Sequence, residues 1–258
     1  MRFDVITLFP EFVQAGVELG VVGRALQRAV ISLQTWNPRD FTTDPYRRID
    51  DRTFGGGPGM VMMVEPLARA LTAAREASEE PAWVIHPSPK GRPLTQERVR
   101  QLAELPRIVM IASRYEGVDQ RFLDRYVDEE ISLGDYVLAG GELPALTVIE
   151  AVTRLLPGVL NDASSAEQDS FCEPNMLDCP HYTRPEVLPE GRVPPLLLSG
   201  NHALIARWRR AMQLRDTLAL RPDLLSAAQL SKVDMKTLAW LKVIESQENP
   251  NTSQEIDV

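Results

Sequence analysis

Through the first 160 residues, short runs of β-branched and aromatic residues alternate with stretches of helical periodicity, and this alternation most constrains the fold. The runs predict strands, and the stretches between or after them predict helices. Strands that alternate with helices indicate an α/β fold in which helices cover both faces of the sheet. The predicted strands are residues 2–9, 31–36, 83–86, 108–112 and 130–133, and the predicted helices are 66–77, 95–103, 119–126, 144–156 and a stretch that Pro10 opens.

The chain changes character after residue 160. Residues 161–178 contain five acidic residues, no basic ones and several small polar side chains, which predicts a mobile linker. Two amphipathic helices are predicted beyond it, at 201–220 and 231–244. We therefore expect an α/β domain at 1–160, an acidic flexible linker at 161–178 and a small C-terminal α-helical domain at 179–258.

Charge is distributed unevenly along the chain. The net charge of −8 excludes a uniformly basic nucleic-acid coat, yet residues 181–221 carry +4 after a segment, 161–180, that carries −5. Arg207, Arg209 and Arg210 flank Trp208 on a predicted helix, a pattern that suits contact with RNA phosphates and stacking on a base. The favoured alternative is a solvated helix face with Trp208 in the core.

Composition and patterning exclude several classes of protein. With 44% hydrophobic and 25% charged residues, the chain as a whole is not intrinsically disordered. Its longest uncharged stretch, residues 193–206, is interrupted by proline and glycine and falls short of the roughly 18 residues of a membrane span. Asp4 and Glu11 interrupt the only candidate core of a signal peptide, so we expect a cytoplasmic protein without membrane association.

The two cysteines do not indicate a metal site. Cys172, Cys179 and His181 match no common zinc spacing, and no second cluster completes a set of four ligands. We therefore expect reduced thiols and no bound metal.

Four loops are candidates for ligand binding. Residues 55–59 hold four of the 15 glycines, but no Gly-Lys-Ser/Thr follows, so a close approach of backbone to a ligand and a structural turn both stay open. Residues 134–141 follow a predicted strand and precede a predicted helix, a position where open α/β sheets bind ligands. They include no basic residue, which favours a neutral or cationic ligand over a phosphate. Loops 86–91 and 113–117 also follow strands, so three loops are expected to converge on one pocket.

Several long segments, in one order, resemble the bacterial tRNA (guanine-37-N1)-methyltransferase family, which belongs to the SPOUT class of S-adenosylmethionine-dependent methyltransferases. The matching segments are 4–10, 50–60, 114–117, 131–142, 165–171 and 177–185. The resemblance implies a SPOUT-type sheet tied in a deep trefoil knot and a homodimer with its active site at the subunit interface. It also implies S-adenosyl-L-methionine as methyl donor, tRNA as the partner of the C-terminal domain, and Mg2+ as an assisting ion, for which the sequence contains no dedicated ligand set.

The resemblance further implies roles for individual residues. Asp169 is expected to act as the general base at N1 of guanine-37, and Arg154 to stabilise the negative charge that grows on O6. The expected cofactor-binding residues are Pro87, Ser88, Pro89, Ser113, Tyr115, Glu116, Gly117, Ile131, Ser132, Leu133, Gly134, Asp135, Tyr136, Val137, Leu138, Gly140 and Gly141. The expected substrate-binding residues are Gly55, Gly59, Ser165, Arg184, Arg207 and Arg210.

Two positions depart from the pattern of that family, which has glycine in place of Ser113 and Tyr-Leu in place of His86-Pro87. The Ser113 side chain is expected to alter contacts in the cofactor pocket, and the family pattern gives His86 no catalytic role. Two other functions stay open. A SPOUT-type methyltransferase acting on another nucleotide is disfavoured by the match at 165–171, and a non-catalytic RNA-binding protein is disfavoured because Asp169 and Arg154 are both present.

Overall fold

The computed structural model describes residues 1–160, 169–172, 176–225 and 229–248. The chain divides into two compact units, Met1–Ala163 and Ser164–Val258. Among the described residues, no helix is both long and apolar enough to cross a membrane.

A five-stranded sheet forms the centre of the first unit, and every pairing within it is parallel. With strands numbered in chain order, the nine strands of the described residues are β1 (Arg2–Ile6), β2 (Ser32–Trp36), β3 (Asp50–Arg52), β4 (Met60–Met62), β5 (Trp83–Pro93), β6 (Arg107–Ile111), β7 (Glu129–Ser132), β8 (Val187–Leu188) and β9 (Gly191–Arg192). The strand order in the central sheet is β2-β1-β6-β5-β7, while β3 pairs with β4 and β8 with β9 in antiparallel hairpins. The predicted α/β class with a central sheet is confirmed.

Helices cover both faces of this sheet, as the alternation predicted. The eight α-helices of the described residues are α1 (Pro10–Val17), α2 (Gly20–Gln27), α3 (Val64–Glu76), α4 (Gln96–Ala103), α5 (Gln120–Tyr126), α6 (Glu142–Thr153), α7 (His202–Leu220) and α8 (Lys232–Glu248). Along β6, Ile108 and Met110 face a core shared with α1, α2, α4 and α6, whereas Val109 and Ile111 face a core shared with α3 and α5. Because successive side chains of a strand point to opposite faces of the sheet, β6 contributes residues to both cores.

Some element boundaries differ from the sequence-based expectation for local reasons. Strand β1 ends at Ile6, because the chain turns where the Phe9 N–H donates to Thr7 Oγ1 at 3.0 Å, and α1 then begins at Pro10. Helix α2 was not predicted, since its sequence contains two glycines and two valines, which are weak helix formers. The β3–β4 hairpin was missed as well, because three-residue strands carry too little periodicity to detect.

The second unit contains a small helical core. Trp208, Ala211 and Met212 of α7 pack with Leu241 of α8 and with Cys179. Trp208 is only 3% exposed, so the favoured interpretation of Trp208 as a core residue is confirmed and its use as a stacking platform for a base is wrong.

The described part of the acidic segment is packed within the second unit. Met176 is buried, the Leu177 N–H donates to Thr217 Oγ1 at 3.0 Å, and the Asp178 N–H donates to Ser170 Oγ at 3.0 Å. Residues 161–168 and 173–175 of this segment lie outside the described residues. Residues 169–172 and 176–178 therefore have hydrogen-bonded positions, which their composition did not indicate.

Candidate active site

A cavity of about 350 Å³ lies beside the carboxyl ends of β6 and β7 and beside residues 86–90 of β5. Sixteen of the 17 cofactor-binding candidates line it, and Asp135 does not. The three loops expected to converge, 86–91, 113–117 and 134–141, do meet here. The lining residues outside the predicted loops and the predicted set of cofactor-binding residues are Val118, Gln120, Leu123, Glu130 and Pro144.

The first wall of the cavity is an irregularity in β5. Pro87 and Arg92 both pair with Ile131, so the pairing of β5 with β7 is interrupted between them, and Ser88, Pro89 and Lys90 form part of the cavity lining. At Gly91 the chain again lies close to β7, since a Cβ at that position would overlap the backbone of Glu130 and Ile131. Local sequence did not predict the extension of β5 to Pro93, because the strand continues only through this long-range pairing.

The glycine-rich loop forms the second wall and is attached to the loop after β6. The Gly141 N–H donates to Ser113 O at 2.8 Å, and a Cβ on Gly141 would lie 2.7 Å from Ala112 Cα. The absence of a side chain therefore allows direct backbone contact between the two loops.

The buried carboxylate of Glu142, at the start of α6, contacts residues from two neighbouring loops at the edge of the cavity. Glu142 is 3% exposed, and its Oε1 accepts a hydrogen bond from Thr7 Oγ1 at 2.9 Å. Arg114 Nε lies 3.0 Å from Glu142 Oε2, in ion-pair range although its N–H is not aligned for a hydrogen bond. The Arg114 guanidinium also lies 4.5 Å from the centre of the Phe9 ring and donates to Ala139 O at 3.2 Å. Glu142 thus compensates the charge of Arg114 beside the glycine-rich loop.

The two positions that depart from the resembling family contact each other. His86 is 4% exposed, its Nε2 lies 2.9 Å from Ser113 Oγ, and its Nδ1 lies 3.0 Å from Glu130 Oε1. Burial lowers the pKa of His86, and the nearby Glu130 carboxylate only partly offsets this effect. His86 is therefore neutral at pH 7.

The 55–59 loop joins β3 to β4 and approaches the cavity at one end. A Cβ on Gly59 would overlap the Glu116 side chain, and the Glu116 N–H donates to Met60 O at 2.9 Å. Gly55 has a φ of +87° and open space around it. The loop is thus a hairpin turn, and its Gly59 end lies beside the cavity residue Glu116.

Tyr115 holds a strained position between this hairpin and the cavity. Its φ is +61°. The pKa of its phenol is raised, mainly by burial and to a smaller extent by the nearby Asp50 carboxylate. Arg39 Nη2 donates to the Tyr115 hydroxyl at 3.5 Å. Backbone strain of this kind is often found where a site needs a fixed loop.

The two predicted catalytic residues belong to different units. Arg154 is half-buried at the C-terminal end of α6 in the first unit. Asp169 is half-buried in the second unit, where its carboxylate oxygen accepts the Ser170 N–H at 3.2 Å. Ser165 lies outside the described residues.

The remaining substrate-binding candidates lie in the second unit. Arg184 is exposed and precedes a cis peptide bond to Pro185. The Arg207 guanidinium lies 4.3 Å from the centre of the Trp240 ring, and Arg210 Nε donates to Asp234 Oδ1 at 3.1 Å. The structure therefore anchors Arg207 and Arg210 on α8.

One cluster of potential metal ligands occurs among the described residues. Asp178, Cys179 and His181 each place one ligand atom within 4.8 Å of the others. Burial, with a smaller contribution from Asp178, raises the pKa of the Cys179 thiol to about 11. Metal binding needs the thiolate, so this environment is unfavourable for a metal unless the ion itself displaces the proton.

Comparison with known proteins places this arrangement in a family. The model of the family described as tRNA (Guanine-1)-methyltransferase TrmD matches residues 1–227. A protein of Stenotrophomonas maltophilia (strain R551-3) named tRNA (guanine-N(1)-)-methyltransferase is 58% identical over 248 residues, which cover 96% of this chain and 98% of that protein. Proteins of the same name from Thiobacillus denitrificans and Leptothrix cholodnii are 58% and 56% identical, and the alignments cover 89% and 94% of this chain and 98% and 100% of those proteins.

Proposed function

The chain belongs to the tRNA (guanine-1)-methyltransferase family, and on that premise we propose that its cavity binds S-adenosyl-L-methionine and that guanine-37 of a tRNA receives the methyl group. Family membership supports the coarser statement directly: the protein is an enzyme that methylates N1 of a guanine in tRNA, with S-adenosyl-L-methionine as the methyl donor. The position of the guanine and the residues that act on it are proposals.

The chemistry of the cavity lining carries the assignment of the cofactor site. S-adenosyl-L-methionine supplies a methyl group on a positively charged sulfur. Glu116 and Glu130 line the cavity, and the glycine-rich loop brings no lysine or arginine to it. Lys90, a basic side chain in the lining, is suited to the carboxylate of the same ligand. Gly134 and Gly140 line the cavity and are half-buried, so a ligand can approach their backbone without obstruction by a side chain of their own.

The reaction requires a base and a cation at the guanine. The Asp169 carboxylate takes the proton from N1, and N1 forms a bond to the methyl carbon as the bond from that carbon to sulfur breaks. Negative charge that develops on O6 is stabilised by the Arg154 guanidinium. A carboxylate is a weak base for this proton, so positioning and exclusion of water must supply much of the rate.

The substitutions Asp169→Asn and Arg154→Ala test these roles. We expect each to lower the single-turnover rate of tRNA methylation by about a hundredfold or more, because each removes a group that acts on the developing charge. Affinity for S-adenosylhomocysteine should change little. Asp223→Asn and Arg121→Ala, at exposed ion pairs, are the matched controls.

Mapping the methylated base with labelled cofactor and unmodified tRNA tests the substrate. Methylation at N1 of guanine-37 supports the proposal, and methylation of another nucleotide overturns the assigned position. Near-normal rates for either variant would overturn the role of that residue. Repeating the measurement with EDTA tests the expectation that Mg2+ assists.

We also propose the trefoil knot and the homodimer that the resemblance implies. At Gly91 and Gly141 two segments of backbone distant in sequence lie so close together that a Cβ would not fit between them, and this supports the knot. Large apolar side chains exposed on α1, α6 and the loop before α1 support a second copy as the partner of this surface; they are Phe9, Phe12 and Leu143. An experimental chain trace and sedimentation equilibrium test the knot and the dimer, and a monomer at micromolar concentration would contradict the latter.

The second unit is proposed to bind tRNA, and we expect the enzyme to act in the cytoplasm, where its substrate is found. Arg184 and Arg207 are exposed on this unit, and the sequence between residues 181 and 221 has a net charge of +4. Arginine side chains on such a surface suit phosphate contacts.

A further inference from the structure

Three side chains that no proposed catalytic step uses form a continuous hydrogen-bonded chain at the cofactor cavity. His86 comes from β5, Glu130 from β7 and Ser113 from the loop after β6, and all three line the cavity. The distances are 3.0 Å from Glu130 Oε1 to His86 Nδ1 and 2.9 Å from His86 Nε2 to Ser113 Oγ. A buried imidazole with both nitrogens occupied has a defined orientation.

The chemistry of the three groups gives these hydrogen bonds a direction. The neutral imidazole carries one proton, and the Glu130 carboxylate can only accept, so the proton lies on Nδ1. Nε2 is then an acceptor, and the Ser113 hydroxyl donates its only proton to it. While His86 is neutral, Ser113 Oγ therefore offers a lone pair to the cavity and not its proton.

We propose that Glu130, His86 and Ser113 form a directed relay that makes Ser113 Oγ a fixed hydrogen-bond acceptor for an N–H or O–H donor of the adenosyl ligand. This proposal rests on the cofactor site proposed above and adds a specificity-determining residue to it. Glycine at position 113 offers no such acceptor. A tyrosine at position 86, in turn, has no ring nitrogen to receive the proton of Ser113.

The relay has a consequence for pH. Protonated His86 has two N–H donors, so its Nε2 donates to Ser113 Oγ and the hydroxyl proton turns towards the cavity. The acceptor becomes a donor, and affinity for the ligand falls. The charged groups around His86 are Glu130 on β7, which favours protonation, and Lys90 on β5, which opposes it together with burial. Burial holds the pKa of His86 below its ordinary value of about 6.5, so the loss of affinity should occur on the acid side of that value.

Isothermal titration of the full chain with S-adenosylhomocysteine between pH 5.5 and 8.0 tests the relay. For the unmodified protein we expect a constant Kd from pH 7 to 8 and a Kd that rises as the pH falls towards 5.5. Ser113→Ala should raise the Kd about three- to tenfold at pH 7.5, the effect of one hydrogen bond, and should remove the pH dependence. Ser113→Thr keeps the hydroxyl and should restore both the affinity and the pH dependence.

Glu130→Gln tests the direction of the relay. Its amide can donate to Nδ1, which allows the imidazole proton to lie on Nε2, so we expect weaker binding with a flat pH profile. His202→Ala, at an exposed histidine of α7, is the control and should keep the original profile. Thermal unfolding of every variant confirms that it is folded.

The outcomes separate the relay from the cofactor site. If Ser113→Ala binds S-adenosylhomocysteine as tightly as the unmodified protein and with the same pH profile, the relay is overturned while the cofactor site stands. If the unmodified protein does not bind S-adenosylhomocysteine at any pH, the proposed cofactor site is overturned and the relay with it.

Discussion

At the scale of single residues, a buried ion pair joins the two central strands of the sheet. Arg107 Nε on β6 lies 2.8 Å from Asp4 Oδ2 on β1, and both side chains are fully buried. Asp4 also accepts from the Trp36 indole at 2.9 Å, and Arg107 donates to the Ala74 carbonyl near the end of α3. Every charge in this cluster is therefore compensated inside the core, which is the condition for burying it at moderate cost.

Removing one member of this pair should be costly. We expect Arg107→Ala to lower the free energy of unfolding of the first unit by about 2–4 kcal/mol, because the buried Asp4 carboxylate loses one of its two arginine partners and keeps only Arg2. Arg47→Ala, at an exposed pair with Asp40, should cost less than about 1 kcal/mol. Urea denaturation of both variants measures the difference, and equal costs would contradict the inferred desolvation of Asp4.

Residue-scale pairings of this kind could not be predicted from the sequence. Asp4 and Arg107 are 103 residues apart, and His86 lies 27 residues from Ser113 and 44 from Glu130. Local patterns indicate which face of a strand a residue occupies, but they do not indicate which distant residue meets it.

At the scale of secondary-structure elements, two glycines permit the close passages that shape the cavity. A side chain at Gly91 would meet the backbone of β7, and one at Gly141 would meet the backbone after β6. Backbone cannot move aside as the end of a flexible side chain can, so these positions tolerate no Cβ without displacement of a cavity wall.

Alanine at these positions should therefore disturb both stability and binding. We expect Gly91→Ala and Gly141→Ala each to cost about 1–3 kcal/mol of stability and to weaken S-adenosylhomocysteine binding at least tenfold. In Gly16→Ala the added methyl group meets only the side chain of Leu146, and α1 gains helix propensity, so its stability should change by less than about 1 kcal/mol. Thermal unfolding and titration measure these effects, and unchanged binding by both cavity variants would contradict the assigned role of the passages.

Most elements were predictable because their signals are local. The helices at α3, α4, α5 and α7 begin and end within about two residues of their predicted bounds, since periodicity and capping residues mark them. Helix α2 and the β3–β4 hairpin were not predictable, because packing against the rest of the unit stabilises them against weak local preferences.

At the scale of the whole molecule, the net charge is acidic although residues 181–221 form a basic segment. The chain carries −8 in total, but residues 181–221 carry +4. The structure also shows that part of this surplus is used internally, since Arg210 pairs with Asp234 and Arg215 pairs with Asp216 and Glu245. Binding of tRNA should therefore rest on a few arginines and on shape, with modest affinity for other nucleic acids.

Substitution of the basic segment tests this view of tRNA binding. We expect Arg207→Ala to weaken tRNA binding and to reduce the slope of log K against log salt concentration by about one, the effect of one phosphate that is no longer neutralised. Arg210→Ala should reduce the slope by less, because Arg210 is paired with Asp234. Affinity for S-adenosylhomocysteine should not change. Arg121→Ala, which removes an exposed arginine of the first unit, is the control for net charge. Filter binding across a salt series measures the slope, and an unchanged slope would contradict the proposed role of these arginines.

The sequence by itself determined the α/β class, the helices on both faces of the sheet, the two C-terminal helices, the loops that surround the cavity and the resemblance that named the family. These features depend on residue periodicity and on contiguous motifs, which are local properties of the chain. Only the tertiary structure decided that His86 meets Ser113 and Glu130, that Trp208 is buried and that Arg210 is paired with Asp234. Each of these depends on which distant segments pack together, and burial and pairing then set the protonation, orientation and availability of the side chains.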